Sequence, residues 1–125
     1  MAGKNTVVLW KDIHEVSQKV AKYYELTYSK IVPETRKLAK HYGECRPCDK
    51  CINAEHIDEL NCSDKILSIR VHQLNKPRVA LATSTILRTL AHELAHLQEW
   101  DHGKAHKAFE EEIVAYMKEL GYDVI

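Results

Sequence analysis

The stretch that decides the fold is Ile86-Leu87-Arg88-Thr89-Leu90-Ala91-His92-Glu93-Leu94-Ala95-His96-Leu97-Gln98-Glu99-Trp100-Asp101-His102-Gly103. Ile86, Leu87, Leu90, Leu94 and Leu97 recur at three- and four-residue spacing, the stripe of a helix with one buried face. His92 and His96 are one helical turn apart, so both imidazoles stand on one face and can bind one ion. Glu93 follows the first histidine, where its carboxylate can reach a water held by that ion. A bare His-Glu-x-x-His pattern also arises by chance on exposed, charged helices. Here the helix is otherwise apolar, and histidines and a glutamate turned inward carry a desolvation cost unless a metal or hydrogen bonds satisfy them. The pattern therefore predicts a zinc site with His92 and His96 as ligands and Glu93 as the catalytic base.

A catalytic zinc keeps three protein ligands and an open position. His102, just past the expected helix end in the turn Asp101-His102-Gly103, is the leading third ligand. His106 is the alternative, otherwise a core or supporting histidine that hydrogen-bonds a ligand. A carboxylate from Glu110, Glu111 or Glu112 is a further option, against the plainer reading of a solvated helix face.

Working outward, Thr83, Ser84 or Thr85 offers an N-cap for the central helix, which should run to about Trp100. A last helix is expected over about 104–120, with Ile113, Met117 and Leu120 inward and Gly121 as the residue that ends it. Upstream, Ile66-Leu67-Ser68-Ile69-Arg70-Val71-His72 reads as a strand closed by Asn75-Lys76-Pro77. Arg36 to Tyr42 fits a short strand or a helix. Ile13, Val16, Val20, Tyr23 and Tyr24 mark a first helix over about 9–26, and Val32-Pro33 stops any continuation. The order is helix, short strands, helix, helix: an α+β domain with a small antiparallel or mixed sheet.

Cys45, Cys48, Cys51 and Cys62 are the four cysteines of the chain, and all lie in a segment with little hydrophobic periodicity, expected to be mostly loop. Such spacing suits a second, structural zinc; an iron–sulfur cluster, disulfides or free thiols are the alternatives. Cys45 also reads simply as a strand residue.

The chain has 125 residues, one domain's worth, with 45% apolar and 29% charged residues. Net charge is zero. The portion 1–82 is mildly basic and 83–125 mildly acidic, too weak a contrast for a nucleic-acid footprint. DNA association is thus not indicated by charge. No apolar run is long enough for a membrane span, and the N-terminal apolar stretch is too short for a secretory signal. An intracellular, cytoplasmic protein is expected.

Tyr42-Gly43-Glu44-Cys45, the strand Ile66–His72, Thr89-Leu90-Ala91-His92-Glu93-Leu94-Ala95-His96-Leu97 and Asp101-His102-Gly103 together resemble the SprT-like (Spartan-related) zincins, with kinship to the WLM group. The resemblance covers roughly residues 36–120. It implies a single minimal zincin-like domain over 1–125, with a cysteine-rich insertion at about 43–63. It also implies His92, His96 and His102 as zinc ligands, Glu93 as base, and proteolytic activity. It further implies an edge of the Ile66–His72 strand beside the metal cleft, against the alternative that residues 36–43 already pair with it. The chain departs from the pattern at His106, where such families carry Phe or Trp, and in the cysteine-rich insertion. Better-known relatives cleave proteins crosslinked to DNA with the help of additional DNA-binding modules. The expectation carried forward is the peptidase chemistry, a zinc-dependent endopeptidase acting on unstructured protein segments. A non-catalytic metal-binding module associated with nucleic acid or protein partners is the alternative, and such a module would not need Glu93.

Overall fold

The computed structural model describes residues 10–33, 43–46, 65–71, 81–99 and 102–124. Six elements follow one another: α1 (Trp10–Tyr24), β1 (Lys30–Pro33), β2 (Gly43–Arg46), β3 (Ile66–Ile69), α2 (Thr83–Ala95) and α3 (Lys104–Glu119). The class is α+β, as the order of the sequence patterns predicts.

The sheet is three-stranded and mixed, in the order β1-β3-β2. β3 lies in the middle, parallel to β1 with Lys30 opposite Ile66 and antiparallel to β2 with Gly43 opposite Ile69. This corrects the expectation that the 66–72 strand presents a free edge: both its flanks are paired. The reason is composition, because β3 is buried along its whole length, as a central strand rich in β-branched residues should be. Among the described residues, the edge nearest α2 belongs to β2, part of the segment expected to be loop. β1, which the sequence reading did not anticipate, ends on Pro33, where a missing N–H is tolerated. The 36–42 segment, and residues 47–64 with Cys48, Cys51 and Cys62, lie outside the described residues.

α2 packs on β2, β3, α1 and α3. Its apolar stripe, Ile86, Leu87, Leu90 and Leu94, is fully buried and meets Ile13, Val16 and Val20 of α1, Leu67 and Ile69 of β3, and Phe109, Ile113 and Met117 of α3 in one core. Each such side chain contributes about 1.5–3 kcal/mol by leaving water. α2 starts without a side-chain cap: Ala82 holds the N-cap position in extended backbone, not Thr83, Ser84 or Thr85. Packing on three sides makes the cap dispensable. Among the described residues no helix is long and apolar enough to cross a membrane.

One close approach fixes how near β2 comes to α2. A Cβ at Gly43 would stand 2.7 Å from Thr89 Cγ2, 3.0 Å from Ser68 O and 3.1 Å from Glu93 Cγ. Only glycine lets the strand lie this near the face of α2 that carries Glu93.

Candidate metal centre

α2 ends sooner than its stripe predicts. After Ala95 the amides of His96, Leu97 and Gln98 bond three residues back, to Glu93, Leu94 and Ala95, at 3.2, 3.0 and 3.2 Å. This tightened last turn ends the helix at Ala95. His102 and Gly103 lie at the entry to α3, with the His102 ring beside those of His92 and His96.

Three ring nitrogens converge there. His102 Nε2 is 3.2 Å from His92 Nε2 and 3.0 Å from His96 Nε2. Two nitrogens bound to one zinc at tetrahedral angles are about 3.3 Å apart, so the spacing is what a shared ion requires. The other nitrogens fix the tautomers. His96 Nδ1 donates to the carbonyl of Glu99 at 3.2 Å, and His92 Nδ1 donates to Glu110 Oε1 at 2.7 Å. With Nδ1 carrying the proton in both neutral rings, both Nε2 atoms hold a lone pair, and both lie beside His102 Nε2. His102 can donate one ring proton to only one of them. A cation satisfies all three.

His106 also belongs to the cluster, since nitrogens of His92, His96 and His106 fall within 4.8 Å of one another, close enough to hold a metal ion. Its hydrogen bond separates it from His102. Its Nε2 donates to the backbone carbonyl of His92 at 3.0 Å. Its ring stacks on that of His96 with centroids 4.0 Å apart and planes inclined by 25°. Ring planes do not divide the two: His106 is inclined by 76° to His92 and 25° to His96, and His102 by 26° to His92 and 84° to His96. What differs is the nitrogen: His102 Nε2 faces the Nε2 atoms of both rings, whereas His106 Nε2 is committed to the carbonyl of His92. We therefore favour His92, His96 and His102 as the converging set, with His106 as a buried support.

Burial and neighbours set the charges. Burial, reinforced by the other three histidines, pushes His96 down to about 4. Burial also lowers His92, against the opposing effect of Glu110. Both rings are thus neutral and able to ligate at physiological pH. Glu93, on the β2 side of α2, is buried and pushed up to about 8 by that burial and by the charges of Glu44 and Glu110. A cation nearby acts against this shift.

The glutamate run is the main departure from the sequence reading. Glu110 is not on a solvated face but buried, with one oxygen on His92 and the other on Arg88 Nε at 2.7 Å. Burial would raise it, yet hydrogen bonds and charge from His92 and Arg88 prevail and hold it below the ordinary carboxylate range. Glu111 pairs with Arg88 and is exposed, as is Glu112. A signal for Glu110 existed in its spacing from His106, one turn along α3 on the same face.

Cys45 is a half-buried free cysteine on β2, opposite Leu67. Burial first, then Glu93 and Glu44, push its thiol up to about 12, with Lys65 opposing. It is a neutral thiol packed in the sheet. Its three sequence companions, Cys48, Cys51 and Cys62, lie outside the described residues.

No family model, curated protein or solved structure matches the chain.

Proposed function

We propose that the protein is a zinc-dependent endopeptidase of the SprT-like zincin kind, with His92, His96 and His102 as the ligands and Glu93 as the general base. The observation that carries this reading is the convergence of three Nε2 atoms on one point with two tautomers already fixed for ligation. Imidazole nitrogens in a three-ligand, open arrangement suit zinc. When bound, the ion would polarise a scissile carbonyl and acidify water. Glu93 would accept a proton from the attacking water on a carboxylate oxygen and pass it to the nitrogen of the leaving amine. Its place beside His92 on α2, on the side facing β2, supports that role. Among the described residues β2 stands at the end of the strand order next to α2. An extended segment of substrate could add to that edge by main-chain hydrogen bonds, which favours unfolded protein over tightly folded protein.

Glu93→Gln separates this reading from a non-catalytic metal module. The variant should keep its zinc, measured by metal analysis, and lose about 10²–10⁴-fold in cleavage of an unfolded protein such as casein. Unchanged turnover in Glu93→Gln would refute the mechanism.

A further inference from the structure

We propose that Arg88 and Glu110 form a positioning relay behind His92, fixing the tautomer of that ring and hence the direction of its Nε2 lone pair. The inference rests on the reading of His92 as a metal ligand. It extends that reading to two residues that touch no substrate.

The relay is built from two helical spacings that face each other. Arg88 and His92 are one turn apart on α2, and His106 and Glu110 are one turn apart on α3. Glu110 bridges the α2 pair, with Oε1 on His92 Nδ1 and Oε2 on Arg88 Nε, both at 2.7 Å. Both carboxylate oxygens are therefore committed to donors, which makes Glu110 a support and not a ligand. Arg88 is held in turn, because its terminal nitrogen bonds Glu111 while Nε bonds Glu110. A guanidinium can span two adjacent carboxylates in one fixed fork; a lysine, with a single nitrogen, cannot do so in the same geometry. His106 completes the seating by donating to the carbonyl of His92. The carbonyl and the ring of one residue are thus gripped by one face of α3.

A neutral imidazole chooses between two tautomers unless a partner decides. With Glu110 accepting at Nδ1, His92 keeps its proton there and Nε2 stays free to ligate. Without that acceptor the Nε2–H form competes, and an incoming ion must displace a proton and reorient the ring. Outer carboxylate partners of this kind affect metal affinity about 10–100-fold. A plain interhelical ion pair would stabilise the α2–α3 contact without touching the tautomer, so the two roles are separable.

The test uses the full chain, with Glu110→Ala, Glu110→Gln and Arg88→Met beside the wild type. Nitrogen–proton NMR correlations in the zinc-free protein read the tautomer of His92, and competition with a chromophoric chelator reads zinc affinity. The wild type should show the Nδ1–H form. Glu110→Ala should mix tautomers and weaken zinc binding about 10–100-fold. Glu110→Gln keeps an acceptor oxygen and should largely restore the tautomer. Arg88→Met should fall between the wild type and Glu110→Ala in both readouts. If Glu110→Ala does not fold, the Gln and Met variants carry the same comparison. Variants that lower only the melting temperature, with tautomer and affinity unchanged, would overturn the relay. A wild-type chain that binds no zinc would instead overturn the metal reading, while the tautomer measurement still decides the relay.

Discussion

Helices α2 and α3 meet along one seam and contribute to it in opposite ways. The buried face of α2 is apolar apart from Glu93, and His92 and the C-cap His96 stand beside it as the proposed reactive groups. α3 is amphipathic, and the polar groups it turns inward, His106 and Glu110, touch α2 without joining the point where the Nε2 atoms converge. One helix presents donors, and the other fixes their orientation. A spacing of four residues occurs on both, so spacing alone does not assign the role. Whether a ring nitrogen or a carboxylate oxygen is already occupied does.

The largest effect that could break this division comes from exchanging a presenting histidine for a holding one. His102→Ala should weaken zinc binding by more than the roughly 10–100-fold range of supporting residues, whereas His106→Ala should stay within it. Chelator competition on both variants checks this. A greater loss in His106→Ala would reverse the assignment and make the buried histidine the ligand.

The same division explains what could be read in the sequence. His92, Glu93 and His96 stood out because a repeated apolar stripe framed them, and helical geometry converts their spacing directly into proximity. His102 was expected from a turn signal, and its Nε2 lies 3.2 Å from that of His92 and 3.0 Å from that of His96. Gly121 followed from helix-end chemistry, and its φ of +95° bears this out. Glu110 sat in a run of three glutamates, where only its four-residue spacing from His106 singles out one carboxylate. The position of β3 was misjudged for a related reason. Its residues identify a strand, but pairing partners come from segments far away in the chain, and β2 carries no hydrophobic alternation to advertise itself. Gly43 was visible as part of a motif, yet its purpose, the close seating of β2 on Thr89 and Glu93, exists only in three dimensions.

A second, smaller perturbation sharpens the comparison from the other side of α2, where β2 rather than α3 does the holding. Gly43→Ala places a methyl group against Thr89 and the backbone oxygen of Ser68 at distances that force a shift. Overpacking of this type costs about 1–3 kcal/mol. Denaturant unfolding should register that loss. Because the displaced surface carries Glu93 rather than the ligand histidines, peptidase turnover should fall further than zinc affinity. Equal losses in both would mean that α2 moves as a rigid rod, carrying Glu93 and the histidines together.

The smallest expected effect tests whether α3 holds the ligands through its first turns alone. Gly121 closes the far end of α3 in the left-handed region, with Tyr122 N–H bonding back to Met117 O at 3.1 Å. A Cβ there meets nothing within 4 Å, so Gly121→Ala costs only the backbone strain of a side chain at positive φ, about 1 kcal/mol. For a domain of this size that lowers the melting temperature by about 4 °C. His106 and Glu110 lie in the first half of α3, more than two turns from this end, and their contacts do not depend on it. Zinc affinity in Gly121→Ala should therefore equal that of the wild type at temperatures where both are folded. The variant thus matches part of the stability loss of Gly43→Ala while leaving the seam intact. A fall in affinity that tracked the fall in melting temperature would show that metal binding follows the overall stability of α3, and the assignment of the holding role to His106 and Glu110 would fail.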